Sequence, residues 1–218
     1  MVVLTAAAPL KLMIVGASGA VGRQVLELAL AEPKIGPVVA PTRRPLPPRP
    51  RLANPIVDFA RLPEEAPWWP VDAVICTLGT TLKAAGSQAA FAAVDRDYPV
   101  LVARLARRAG ATRFALNSSL GARAGGNFYL RTKAEAEAGI RALGYPVYTI
   151  VRPSLIDTER DAARPLESLS LVVARALRPV VPRRYRAVPA QRIARALLDG
   201  VLRDARGERI VESEMLQD

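Results

Sequence analysis

The chain has 218 residues, a formal net charge of +11, one cysteine and no histidine, a size that suits one domain with a large core. The missing histidines remove His-based triads and most zinc sites, and the lone Cys76 removes an internal disulfide and fits a reducing cytoplasm. No apolar run approaches about 18 residues, so no membrane-spanning helix is expected, and residues 1–9 lack the basic start of a signal peptide.

A short apolar run at 11–15 ends in Gly16 and reads as a buried strand. A helix follows over 19–31, with Val21, Val25, Leu28 and Leu30 near one face and Pro33 beyond its end. A second strand is expected at 37–40, a proline- and arginine-rich loop at 41–50, a third strand at 55–59 and a fourth at 72–77. Over 97–109 helical spacing gathers Tyr98, Leu101, Val102, Leu105 and Ala109 on one face, with Arg104, Arg107 and Arg108 opposite and Gly110 as the stop. A fifth strand at 113–116 and a sixth at 147–151 flank a helix over 129–143. Further helices are expected at 166–177 and 191–201, and an edge strand at 210–212. Strands alternating with helices predict one α/β domain over 1–218: a doubly wound, mostly parallel Rossmann-type sheet with helices on both faces. The alternation fades after residue 151. Residues 153–190 are expected to form a small substrate-side lobe over the carboxyl edge, where such folds bind ligands.

The turn Gly16-Ala17-Ser18-Gly19-Ala20-Val21-Gly22 joins the first strand to the first helix. In that context the first glycine permits a tight turn, the second lets backbone approach a pyrophosphate, and the third lets the helix pack on the sheet. The helix N-terminus then offers free N–H groups to phosphates. An NAD site usually carries an acid at the end of the second strand to hold the adenosine ribose. This chain reads Thr42-Arg43-Arg44 there, with no acid between Glu32 and Asp58. Arg43 and Arg44 suit a 2′-phosphate, which favours NADP(H) over NAD(H). The competing reading is one more exposed arginine pair in an arginine-rich chain. Asp58 is expected to meet the adenine amino group or to cap a turn.

Tyr129 and Lys133 lie four apart on a predicted helix and so share a face. An ammonium beside a phenol eases loss of the phenolic proton. Tyr129 can then exchange a proton with a substrate oxygen as hydride moves at carbon. Asn117-Ser118-Ser119 ends the fifth strand. Ser119 is the favoured holder of the same oxygen and Ser118 the second choice. Lys133 would also bond the nicotinamide ribose. The competing reading is a surface Tyr–Lys pair on an ordinary helix.

The stretches GASGAVG, CTLGTTLKAAGS, VDRDYP, NSSLGA, NFYLRTKAEAE and VRPSLI run in order from Gly16 to Ile156. Together they resemble the atypical branch of the short-chain dehydrogenase/reductase superfamily, with weaker similarity through Arg164 and Pro165. The resemblance implies that Leu78, Gly79 and Thr80 line the cofactor. It brings Arg152-Pro153-Ser154 near the nicotinamide and gives residues 155–185 the substrate pocket. It implies an NADP(H)-dependent oxidoreductase acting on a small carbonyl or alcohol, as a monomer or homodimer. Some family members bind the cofactor as a structural or signalling ligand, so a non-catalytic NADP(H)-binding regulator or scaffold is the alternative.

Other features have simpler readings. Cys76 ends a core strand and reads as a buried thiol, because no histidine is present to activate it. Trp68 and Trp69, between Pro67 and Pro70, are expected to cap the sheet edge. The basic stretch 178–186 is the best anion patch, but only Tyr185 interrupts it, so a nucleic-acid partner is not expected.

Overall fold

The apolar runs become seven parallel strands in the computed structural model, which describes residues 8–157 and 181–217. Their spatial order is β3 (Leu52–Ala53), β2 (Ile35–Val39), β1 (Leu10–Val15), β4 (Ala73–Cys76), β5 (Arg113–Asn117), β6 (Val147–Arg152) and β9 (Gly207–Glu212). The order reverses between β1 and β4, which makes the carboxyl ends of those strands the crevice of the sheet. Strand residues alternate between two apolar layers, as the two-residue period of a strand requires. Leu12, Ile14, Ile75 and Ala115 face α1 (Ala20–Ala31) and α6 (Ala190–Leu202). Met13, Val15, Val74, Phe114 and Leu116 face α4 (Tyr98–Arg108) and α5 (Phe128–Arg141). The doubly wound, mostly parallel α/β reading is therefore borne out.

Most element bounds lie within a few residues of expectation. The helix expected at 191–201 is α6, and the edge strand expected at 210–212 begins at Gly207, whose φ of 92° makes the turn into it. The third strand is different. Pairing to β2 is made by Leu52 and Ala53, and the expected 55–59 segment keeps a single bridge from Ile56 to Thr42. Pro55 has no N–H for a ladder. Beside it, the Asn54 side chain donates to Ala40 O at 2.6 Å and Thr42 Oγ1 at 2.8 Å, and accepts from Leu46 N at 2.8 Å. The chain is thus tied to the proline-rich loop instead of running on as a strand.

Between β4 and α4 lie two short helices that the periodicity does not mark, α2 (Leu82–Ala85) and α3 (Gln88–Ala92). Thr81 and Ser87 cap them through Ala84 N and Ala90 N, and Gly86 links them at φ 78°. One turn of π-helix, Ala93–Asp97, then leads into α4. In the C-terminal region β7 (Ile156–Asp157) pairs with β8 (Val188–Pro189). The helix expected at 166–177 lies outside the described residues, as does most of the expected lobe. Trp69 is buried and donates to Pro63 O at 2.8 Å, while Trp68 packs on it beside the edge made by β2 and β3.

The packing of α1 on the sheet leaves no room at Gly22. A Cβ there would lie 2.1 Å from Gly16 O and 2.8 Å from Thr77 Oγ1. Two of the three obstructing atoms are backbone, so a side chain cannot be swung aside. Gly22→Ala is expected to destabilise the fold by about 3 kcal/mol or more, as overpacking does when backbone must move. Urea unfolding of the purified variant measures this directly.

Candidate cofactor cavity and active site

The glycine turn and the ends of β2 and β4 enclose a cavity of about 550 Å³. Gly16, Ser18 and Gly19 form one wall, Thr42, Arg43 and Asp58 a second, and Leu78, Gly79 and Thr80 a third. Gly16 turns at φ 89°, and a Cβ on it would lie 2.7 Å from Thr77 Oγ1. Only glycine therefore lets the turn pack this closely against the end of β4. Gly19 is the N-cap of α1 and, among the described residues, no side chain caps this helix end. Its first N–H groups are left for an anion in the cavity, which is the donor set that a dinucleotide phosphate requires.

The remaining residues of the turn support rather than line the cavity. Ala17, Val21 and Gly22 are buried, and Ala20 begins α1. Thr42 is held by its hydroxyl, which donates to Arg44 O at 2.6 Å, and this sets the path of the Arg43-Arg44 corner. Arg43 reaches the cavity; Arg44 is exposed outside its lining. Asp58 caps a short 3-10 turn, Phe59–Arg61, through Ala60 N at 2.9 Å. Phe59 and Tyr98 stack with centroids 6.1 Å apart and give the cavity an aromatic wall that sequence spacing does not reveal.

Behind Gly79 sits a buried charge pair. Lys133 Nζ lies 2.6 Å from Asp95 Oδ1, and Asp95 Oδ2 accepts from Thr80 N at 2.8 Å. Asp95 and Lys133 are only 2% and 7% exposed. Tyr129 stands one turn before Lys133 on α5, with its ring 5.5 Å from that of Phe91, the neighbour of the cavity residue Ala90. The Asn127 side chain caps this helix by accepting from Leu130 N at 3.0 Å, which fixes where Tyr129 begins the stripe. Neither Tyr129 nor Ser119 lines the cavity itself.

A model of a family described as NAD(P)H-binding matches residues 16–199 of this chain. The chain belongs to that NAD(P)H-binding family. Protein HTATIP2 of Rattus norvegicus is 34% identical over 201 residues, covering 89% of this chain and 82% of that protein. The mitochondrial protein fmp52 of Emericella nidulans is 34% identical over 173 residues, covering 75% and 74%. Among solved structures, MoeE5 in complex with UDP-glucuronic acid and NAD aligns with a TM-score of 0.72 at 18% identity, over 93% of this chain and 76% of that one. The Bordetella bronchiseptica enzyme WbmG in complex with NAD aligns at 0.68 and 16% identity, over 97% and 75%. These two likenesses are of fold. The resemblance that the motifs carry is borne out by the family match and by the likeness to Protein HTATIP2. Among the described residues, no helix is long and apolar enough to cross a membrane, and no group of three or more His, Cys, Asp or Glu is placed to hold a metal ion.

Ser118 and Arg152 do not line the cavity either, and both are joined to Glu137. Ser118 is 5% exposed and its hydroxyl donates to Glu137 Oε1 at 2.5 Å. The Arg152 guanidinium clasps the same carboxylate, Nε to Oε1 at 3.0 Å and Nη2 to Oε2 at 2.6 Å, and reaches Glu212 Oε1 at 3.0 Å. Arg152 is thus a brace between α5, β6 and β9 instead of a group turned to the cavity. Pro153 is buried, and its carbonyl accepts from Leu120 N at 2.8 Å, tying the loop after β6 to the loop after β5. Cys76 is fully buried, and burial pushes its thiol up to about 12, so it is no nucleophile near neutral pH.

Asp95 and Glu137 are the important residues that spacing alone does not mark. Asp95 sits in the VDRDYP stretch, and Glu137 lies four residues after Lys133. Because Glu137 is 2% exposed and satisfies both Ser118 and Arg152, its removal leaves the Ser118 hydroxyl without that acceptor and Arg152 with Glu212 alone. Glu137→Leu is expected to cost about 3–5 kcal/mol, and the double variant with Arg152→Leu to recover part of that loss. Chemical denaturation of the three proteins tests both expectations.

Proposed function

We propose that this protein is an NADP(H)-dependent oxidoreductase of the atypical short-chain type, acting on a small carbonyl or its alcohol. The observation that carries the reading is the set of groups around the cavity at the glycine turn. A helix N-terminus without a side-chain cap, Arg43, and Gly79 with the Lys133 ammonium behind it all border the same space. This suits a dinucleotide, whose central pyrophosphate and 2′-phosphate are anionic and whose riboses carry hydroxyls. Gly16, Ser18 and Gly19 would hold the pyrophosphate, and Thr42, Arg43 and Arg44 the 2′-phosphate. Asp58 would meet the adenine, Leu78, Gly79 and Thr80 the remaining ribose side.

The nicotinamide, when bound, supplies or takes the hydride. Tyr129 exchanges the proton at the substrate oxygen, and Lys133 bonds the adjacent ribose. Ser119 holds the substrate oxygen through its hydroxyl. Ser118 is less suited to that task, since its hydroxyl is already given to Glu137. A second reading, a non-catalytic NADP(H)-binding regulator, is favoured by one observation: the Lys133 ammonium is joined to Asp95 in the manner of a structural clamp.

Two variants separate these readings. Tyr129→Phe is expected to lower turnover by about 10²–10⁴-fold, with NADPH affinity changed by less than about twofold. NADPH oxidation against a panel of small aldehydes and ketones measures the first quantity, and fluorescence titration the second. Full turnover in Tyr129→Phe overturns the proton role. NADPH binding by the wild type without oxidation of any panel member selects the regulator. Arg43→Ala is expected to weaken NADPH by about tenfold or more while leaving NADH nearly unchanged, because it removes a charge-assisted contact to the 2′-phosphate. Equal losses for the two cofactors would overturn the NADP preference.

A further inference from the structure

We propose that Asp95 is a positioning residue that couples Lys133 to the cofactor cavity. One oxygen holds the ammonium that works at the nicotinamide ribose, and the other holds the loop that covers it. The proposal rests on the cofactor reading above and names a residue which that reading does not require. Its basis is geometry. The single turn of π-helix at Ala93–Asp97 turns Asp95 inward, while Asp97 on the same turn is exposed. Such turns are rare and gather at functional sites. Asp95 then bonds in two directions, to Lys133 Nζ at 2.6 Å and to Thr80 N at 2.8 Å.

The loop bonded to Asp95 is a wall of the cavity. A Cβ on Gly79 would lie 3.4 Å from Asp95 Oδ1 and 3.7 Å from Lys133 Nζ, both ordinary contact distances. The charge pair therefore lies beside a cavity-lining residue that has no side chain. A buried ammonium without a partner is costly, and a flexible lysine stem has many rotamers. Asp95 offsets the first and removes the second. A carboxylate also does what an amide cannot: it accepts from Thr80 and neutralises Lys133 at once.

The test separates the two ends of the dinucleotide. Adenosine 2′,5′-bisphosphate carries the adenosine end of NADPH and lacks the nicotinamide riboside. Asp95→Asn keeps an acceptor for Thr80 and loses the ion pair. It is expected to weaken NADPH by about tenfold and the bisphosphate by less than about twofold, within the range measured for neighbouring groups. A residue that merely supports the fold would weaken both ligands alike, and that result overturns the proposal. So does wild-type affinity for both in Asp95→Asn.

If Asp95→Asn does not fold, the Lys133→Met background provides the same test, because exchanging a buried pair for neutral groups is often tolerated. There Asp95→Asn should change NADPH affinity by less than about twofold, since its effect passes through Lys133. Asp95→Ala should still weaken NADPH, since Thr80 loses its acceptor. An additive loss from Asp95→Asn in that background overturns the coupling. Failure of the wild type to bind either ligand overturns the cofactor reading instead, so the two failures are distinguishable.

Discussion

The carboxyl edge of the sheet depends on one close approach, that of α1 to the turn that leaves β1. Gly22 lies against the Gly16 carbonyl, and Gly16 lies against Thr77 at the end of β4. Thr77 closes the corner by donating its hydroxyl to Val15 O at 3.1 Å. The turn, the start of α1 and the sequence-distant end of β4 are thus fixed to one another by atoms that leave no space for a methyl group. The geometry aims the N-terminus of α1 into the cavity and sets where the loop after β4 begins. The loop that runs on to Thr80 starts from this contact, and Asp95 holds its far end through Thr80 N.

The opposite side of the cavity is organised by one stripe of α5. Tyr129, Lys133 and Glu137 recur at four-residue spacing and so lie along one face of the helix. Each meets a different neighbour: Phe91 for Tyr129, Asp95 for Lys133, and Ser118 with Arg152 for Glu137. Burying a charge without a partner is expensive, so each buried charge in this stripe is matched by an opposite one. The two matched clusters do different work. The Asp95 pair holds a loop that lines the cavity, whereas the Glu137 cluster ties α5 to β6 and, through Arg152, to β9.

How much of this is legible in the chain itself follows from whether the signal is local. The glycine turn, the strands β1, β4, β5 and β6 and the helices α1 and α5 announce themselves through spacing and composition, because their apolar periods match their burial. Gly16, Gly19, Arg43, Asp58 and Gly79 line the cavity as the motifs lead one to expect. The misplaced third strand has a local cause too, but it lies in the Asn54 side chain, whose three bonds to the 40–46 region no periodicity encodes. Asp95 and Glu137 are harder still. Each is an acid in a chain with 20 of them, and only folding brings Asp95 to Lys133 or Glu137 to Arg152. Arg152 could be expected beside the cofactor from its place after β6. Its actual direction is decided by two acids, one of them sixty residues later in the chain.

The formal charge of +11 says little about the cavity, because charge there is arranged rather than summed. At the turn, backbone N–H groups and the exposed Arg43 supply an attraction for anions that salt will partly screen. Beside Gly79, Lys133 and Asp95 lie as a neutral pair shielded from solvent. On the proposed reading this contrast has a chemical use. The phosphates of a dinucleotide are anionic in every redox state, whereas the nicotinamide ring is cationic when oxidised and neutral when reduced. A bare ammonium under that ring would favour the reduced cofactor and resist the oxidised one. Balanced by Asp95, Lys133 can bond a ribose hydroxyl without setting a strong preference between the two, and the anchoring of the cofactor is left to the glycine turn and Arg43.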